Sequence, residues 1–294
     1  MRKSTEAHRI YGFRERLLLA PQIHRLKRLR NALVSRLYTR RPAENLDAVR
    51  AELGDVHDEN LLFVVAFNLP WAIDLMIRST RRHMPEWRLV IVDNSNDPDA
   101  RAEITEICRA AGVPRLALPR NPEWSPNRSH GLALNWTWTN LIRPLRPKHF
   151  GFIDHDCFPI RPSRQLARLA DRPFDGLKIA PERVVGAWYL WAGYMFFDTA
   201  RIGDRDLDFN HDQVLRLDTA GRNWTKLYRD FDGPELDLLT PANATLAMPD
   251  GSGAVEVLCI DDTVVHVGGA SYRGEGELRA PREAVRAVVE ASLV

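Results

Sequence analysis

The sequence predicts an α/β protein built on a mostly parallel sheet, and three observations carry the prediction. Between Leu61 and Ile153, short apolar runs alternate with helical patterns of about 10–15 residues, the signature of successive βαβ units. Leu61 to Phe67 is a continuous apolar run rich in β-branched residues, as expected of a strand buried on both faces. A later apolar run, Phe150 to Ile153, stops abruptly at Asp154-His155-Asp156. The carboxyl end of a strand is where open α/β sheets bind their ligands.

Each element follows from its own pattern. Residues 1–57 read as a basic helical extension, in which Ile23, Leu26, Leu29, Leu33, Val34 and Leu37 recur at helical spacing. Asn68-Leu69-Pro70 breaks the first strand, and Trp71 to His83 follows as a helix. Arg88 to Val92 is a second strand, closed by the turn-rich stretch from Asp93 to Pro98. A helix over Asp99–Ala111, a short strand over Arg115–Leu118 and a helix over Ser129–Ile142 lead to the acid-tipped strand. After Pro159 the alternation weakens. Tyr189–Phe197 reads as a strand, Val255–Val267 as one or two more, and about Pro281–Ser292 as an amphipathic final helix. Asp-Gly, Gly-Pro and Pro-Asp pairs between Phe231 and Gly253 mark a loop-rich, mobile connection.

The net charge of +2 conceals an asymmetry, because residues 1–50 carry 13 Lys/Arg against 4 Asp/Glu and the remainder is acidic. A basic amphipathic helix either packs its stripe on the body and leaves its charges in water, the reading favoured here, or lies on an anionic membrane surface. Aromatic residues are too sparse in the arm for a nucleic-acid platform, so nucleic acid is not an expected partner. Cys108, Cys157 and Cys259 are too few and too scattered for a disulfide framework or a zinc site; Cys108 and Cys157 are expected as small core hydrophobes. No apolar run approaches the ~18–20 residues of a membrane span, and no signal-peptide pattern opens the chain. A cytoplasmic location is expected, with peripheral contact at the inner membrane face as the alternative.

Asp154 and Asp156 are spaced i and i+2, so on extended backbone both side chains point the same way and can converge on one hard cation. An incomplete oxygen shell suits Mg2+ or Mn2+, with phosphate oxygens filling the open positions. That is the chemistry of a nucleotide-diphosphate donor site.

The order of parts is Phe67-Asn68 after the first strand, Val92-Asp93-Asn94-Ser95 after the second, His130-Gly131-Leu132-Ala133-Leu134-Asn135, then Asp154-His155-Asp156. Trp191-Ala192-Gly193-Tyr194-Met195-Phe196-Phe197 and Val264-Val265-His266-Val267-Gly268-Gly269 complete it. This series resembles the nucleotide-sugar half of the GT-A glycosyltransferases, most closely the large inverting group called family two. The resemblance covers roughly residues 59–272 and is best over 61–160. It implies a Rossmann-like mixed sheet flanked by helices over 58–294, with a nucleotide-binding half to about residue 160 and an acceptor half beyond it. It also implies transfer of a sugar from a nucleotide-diphosphate donor, a UDP-sugar by analogy, to a hydroxyl of a glycan or glycolipid, with inversion.

On the same resemblance, Phe67, Asn68 and Asp93 would sit near the base and ribose. Asn121, Arg128 and His130 would lie where the donor sugar or pyrophosphate passes. Asp154 and Asp156 would bind Mn2+ or Mg2+, joined by His266, which otherwise is a structural histidine at a strand end. The catalytic base is open between Asp212, beside His211 at a helix start, and Asp218, whose neighbours Thr219 and Gly221 suit a turn near ligand; Asp218 is preferred and Asp208 remains an alternative. Trp191 and Gly193 are placed at the acceptor or sugar, Trp188 and Trp224 fall in the same half, and Trp71, Trp136 and Trp138 are assigned to the core. Competing readings are a non-catalytic nucleotide-sugar or glycan-binding relic and a sugar-phosphate nucleotidyltransferase. The second lacks its Gly-rich loop, and a dinucleotide-binding dehydrogenase lacks Gly-x-Gly-x-x-Gly.

Overall fold

A computed structural model describes residues 7–231, 236–271 and 274–294. The N-terminal part holds β1 (His8–Arg9), α1 (Phe13–Leu17), α2 (Ala20–Tyr38) and α3 (Leu46–Leu53). The predicted alternation follows as β2 (Asn60–Ala66), α4 (Pro70–His83), β3 (Arg88–Asp93), α5 (Pro98–Ala111), β4 (Arg115–Ala117) and α6 (Pro126–Thr137). Then come β5 (His149–Asp154), β6 (Cys157–Pro159), β7 (Phe174–Ile179), β8 (Val184–Val185) and β9 (Tyr189–Asp198). Strands β10 (Ala242–Ala247), β11 (Ala254–Ile260) and β12 (Val264–His266) precede a final helix, Glu275–Ser292.

Six strands form the main sheet in the order β4-β3-β2-β5-β9-β7. β4, β3, β2 and β5 are parallel, and β9 runs antiparallel to both β5 and β7. The Rossmann-like mixed sheet flanked by helices is therefore present. Alternate residues of the central strands feed opposite faces, as the pleat requires. Leu61, Phe63 and Val65 join one apolar cluster, and Leu62, Val64 and Ala66 join the other. Burial on both faces is why β2 reads as an unbroken apolar run. The chain leaves β2 for β3 on one side and later returns to β5 on the other, so a topological switch point lies between β2 and β5. Their carboxyl ends open a crevice there.

Several elements depart from the sequence reading. The segment between Phe231 and Gly253 is not only loop: β10 pairs along its full length with β11, although its Asp-Gly and Gly-Pro pairs at 232–234 fall outside the described residues. Its side chains are mostly exposed, which left no apolar alternation to read. Helix α6 ends in a π-helical turn, Trp138–Ile142. The final helix starts at Glu275 with Pro281 inside it, and Arg78 ties it to α4 through both oxygens of Glu290 at 2.8 and 2.7 Å. Cys108, Cys157 and Cys259 are buried and unpaired with one another; burial pushes the Cys108 thiol up to about 12.

The arm is also oriented otherwise than favoured above. The side of α2 against the body is marked by His24, Asn31 and Tyr38, seven residues apart, while Leu26, Leu29, Leu33 and Leu37 lie exposed. Polar contacts select this face: Tyr11 Oη meets His24 Nδ1 at 3.1 Å, Tyr38 Oη donates to the Pro119 carbonyl at 3.0 Å, and Asn210 Nδ2 donates to Ser35 Oγ at 3.2 Å.

Candidate active site

The crevice at the switch point holds a cavity of about 400 Å³, within the range of small-ligand sites. Phe67 comes to it from the end of β2, Asn94 and Asn96 from the end of β3, and His130 from α6. Asp154, His155 and Asp156 form its floor from the end of β5, with Trp191, Asp218 and His266 as further walls.

The acids converge by a different route from the one their spacing suggests. Asp154 is the last residue of β5, and His155 and Asp156 form a turn into β6, so the two carboxylates are not on one extended strand. β6 pairs antiparallel with β12, with Cys157 opposite His266, and this brings the histidine to the turn. His266 Nε2 lies 3.2 Å from Asp156 Oδ1, and His130 Nε2 lies 3.5 Å from Asp154 Oδ1. Ligand atoms of Asp154, Asp156 and His266 all fall within 4.8 Å of one another. Two carboxylates and an imidazole facing an open cavity fit a hard divalent cation whose remaining ligands come from elsewhere. Burial opposes ionisation of Asp156. His266 outweighs it, with help from His155 and the Ala270 N–H, and the carboxyl is held well below the usual carboxylate range.

Two neighbours brace this centre. Phe67 N–H donates to His155 Nδ1 at 3.2 Å, which leaves Nε2 to donate to Ser271 Oγ at 2.7 Å. Burial lowers the His155 pKa, consistent with the neutral ring those bonds need. Gly193 sits where a Cβ would lie 2.4 Å from the Trp191 ring and 2.6 Å from Asp154 Oδ2. The Trp191 ring in turn packs on His266, with centroids 4.9 Å apart.

The residues expected at the base and ribose divide. Phe67 lines the cavity. Asn68 adopts φ 54°, and its side-chain oxygen accepts from the Asn96 and Asp97 N–H groups at 3.0 and 3.1 Å, clamping the loop after β3. Asp93 is fully buried and paired with Arg115 at 2.6 Å, outside the cavity lining. Asn94 faces the cavity instead, accepting from Asn121 and donating to Ser129 Oγ. Asn121 and His130 are in the lining; Arg128 is outside it, with its Nε on Glu123 at 2.9 Å and its guanidinium over Trp124.

Of the three carboxylates considered for the base, Asp218 alone lines the cavity. It is half-exposed there, 2.7 Å from His211 Nε2, and accepts from Asn127 Nδ2 at 3.1 Å and from the Thr219 N–H at 2.8 Å. Burial works against its charge, but His211, Thr219 and Asn127 prevail and hold its pKa down. Asp212 is buried and spends its carboxylate on the Val214 and Leu215 N–H groups at 2.9 Å. Asp208 is engaged by Arg222 at 2.8 Å. Trp188 and Trp224 pack against each other beside Tyr228, away from the cavity, and Trp136 and Trp138 are buried. Sequence reasoning passed over Trp124, which is 85% exposed at the cavity. Its signal was an aromatic in a polar, proline-bounded loop, Pro122-Glu123-Trp124-Ser125-Pro126. The roles of Asn127 and His211 become visible only once the 206–219 segment is seen folded against α6.

No protein-family model matches the sequence, and no curated protein matches it. Among solved structures, S. aureus TarS is 17% identical over 54% of this chain and 54% of that one, with a TM-score of 0.37. The galactosyltransferase LgtC, solved with donor and acceptor sugar analogues, is 15% identical over 48% and 58%, with a TM-score of 0.33. A mannosyltransferase from Pyrobaculum calidifontis, solved with GDP-Man and Mn2+, is 13% identical over 66% and 61%, with a TM-score of 0.35. The overlap takes in less than two thirds of each of those chains, and the functional reading rests on this chain's own residues.

Proposed function

We propose that this protein is a metal-dependent glycosyltransferase that moves a sugar from a nucleotide-diphosphate donor, with a UDP-sugar favoured, to the hydroxyl of a glycan or glycolipid acceptor. One observation carries the reading: Asp154, Asp156 and His266 converge in the switch-point crevice that Asp218 also lines. The first three would hold Mn2+ or Mg2+, which when bound neutralises charge on a diphosphate leaving group. His130, beside Asp154, is placed to touch the same diphosphate. Phe67 and the Asn94–Asn121 pair offer an apolar face and amide groups to a base or ribose.

Asp218 supplies the chemistry at the acceptor. Its depressed pKa keeps it ionised at neutral pH, and the His211 and Asn127 contacts hold its orientation. It takes the acceptor hydroxyl proton as the oxygen bonds to the anomeric carbon and the bond from that carbon to the diphosphate breaks, the electron pair leaving with the diphosphate. Inversion at the anomeric carbon is the stereochemistry that the family-two resemblance implies. Trp191, at the cavity wall over His266, gives a flat face for a sugar ring.

Calorimetric titration with UDP and with GDP, each with Mn2+ and with EDTA, tests the donor site. Metal-dependent binding of UDP, lost in Asp156→Ala, is the expected result. Binding of neither nucleotide by the folded protein would overturn the proposal.

A further inference from the structure

Helix α2 carries an apolar face that none of the described residues covers. Of the thirteen large apolar side chains exposed among the described residues, ten lie between Ile10 and Leu37. Leu26, Leu29, Leu33 and Leu37 form one stripe, 53–66% exposed, opposite the side that His24, Asn31 and Tyr38 press on the body. Phe13, Leu17, Leu18 and Leu19, in α1 and the turn that leads into α2, are exposed as well. From Leu26 to Leu37 this stripe runs about 17 Å along α2. Contiguous apolar surface of this kind marks a contact site.

The charges around the stripe select its occupant. Helix α2 contains Arg25, Lys27, Arg28, Arg30 and Arg36 and no carboxylate. Arg25, Arg28 and Arg36 are exposed, and at about 100° per residue Arg25 and Arg36 flank the stripe. Two copies joined through it would bring cations against cations with no acid on the helix to pair them. An anionic lipid surface answers both features, taking the leucines below its headgroups and the arginines among its phosphates. We infer that α1 and α2 dock this protein on an anionic membrane surface, lying in the interface plane. The dock adjoins the candidate active site, because Arg30 binds Glu123, which lies in the loop that carries Trp124 and also binds Arg128 in the first turn of α6. A lipid-borne acceptor would therefore meet the cavity at the surface where the protein rests.

Co-sedimentation of the full chain with vesicles, without nucleotide, tests the dock separately from the transferase reading. The wild type is expected to pellet with phosphatidylglycerol-rich vesicles, to be released by raised ionic strength, and to stay in solution with pure phosphatidylcholine. The triple variant Leu26→Gln/Leu29→Gln/Leu33→Gln should lose binding at an unchanged melting temperature, because these side chains support nothing in the fold. Arg25→Gln/Arg36→Gln should weaken partitioning by about thirtyfold, or about 2 kcal/mol, from about 1 kcal/mol per cation near such a surface. A wild type that does not pellet, or a leucine variant that pellets equally, would overturn the inference. So would a dimer in sedimentation velocity that the leucine substitutions dissolve while vesicles leave it untouched.

Discussion

Replacing Gly193 with alanine adds one methyl group at the point where the candidate site is tightest. The added Cβ would lie 2.4 and 2.5 Å from two Trp191 ring carbons and 2.6 Å from Asp154 Oδ2. Ordinary contact begins near 3.4 Å, so the ring must yield by about 1 Å and the carboxylate by about 0.8 Å. Gly193 lies in the short stretch of β9 that both ladders skip, but the strand is fixed on either side of it, by Tyr194 opposite Ile153 of β5 and by Met195 and Leu190 opposite β7, which limits how far the backbone can shift. Constellations of this kind tolerate displacements of about 0.5 Å, and a misplacement of about 1 Å costs on the order of a hundredfold in rate. Gly193→Ala should lower kcat/KM for sugar transfer by about a hundredfold, which is about 2.7 kcal/mol of transition-state stabilisation. Overpacking should add about 1–3 kcal/mol of instability to urea.

The assay pairs nucleotide-sugar turnover with calorimetric UDP–Mn2+ binding, both well below the urea transition. The double variant Gly193→Ala/Trp191→Ala separates the two clashes. Removing the ring leaves the contact with Asp154, so metal-dependent binding should remain weak if the carboxylate is what moves. Full recovery in the double variant would locate the damage in the Trp191–His266 contact instead. Wild-type binding and turnover in Gly193→Ala itself would refute the reasoning that β9 holds Asp154 in place.

Asp218→Asn should lower kcat by about 10²–10⁴-fold while UDP–Mn2+ binding measured by calorimetry stays at the wild-type value; equal loss of both would remove Asp218 from the acceptor side. The same carboxyl has a folded pKa below its unfolded one, so the folded state binds fewer protons between those values. Its contribution is therefore complete above the unfolded pKa and disappears as pH falls through the folded one. The urea-stability gap between wild type and Asp218→Asn should close as pH falls below the ordinary carboxylate range, and a constant gap would contradict the His211 contact. Arg115→Ala should destabilise the protein to urea by about 3–5 kcal/mol, because it leaves the fully buried Asp93 carboxylate without its charged partner, with only the Ser95 N–H on Oδ1 at 3.0 Å; a cost under about 1 kcal/mol would mean that the Ser95 contact and water suffice for that acid.

What could be read from the sequence was what depends on local pattern. β2, β3 and β5 announced themselves because central parallel strands are apolar on both faces, and α4 and α5 because their stripes pack on that sheet. Asp154 and Asp156 stood out as acids ending an apolar run. The rest depended on partners far along the chain. Asp93 ends its strand where the resemblance placed a base-binding acid, yet only the fold reveals Arg115, from the neighbouring strand, closing on it. The direction of the α2 stripe was unreadable for a similar reason. Periodicity shows that a helix has two faces, but polar anchors on Pro119 and Asn210 decide which one meets the body.

The acidic centre shows most clearly how distance along the chain becomes chemistry. Alone, the turn after β5 offers two carboxylates whose mutual repulsion would favour splaying into water. Strand β12 arrives more than a hundred residues later and pairs with β6, setting His266 against Asp156. The next residues then double back: Gly268 and Gly269 adopt φ of 79° and 75°, a left-handed pair that other residues rarely form. Around that bend Val267 N–H reaches the Asp156 carbonyl at 3.0 Å, Ala270 N–H reaches the Asp156 carboxylate at 3.2 Å, and Ser271 takes up His155. Since His155 also holds the Phe67 N–H at the end of β2, one late turn braces both lips of the switch-point crevice. The end of β2 and the acidic centre are thereby built as a single unit rather than as two loops that happen to meet.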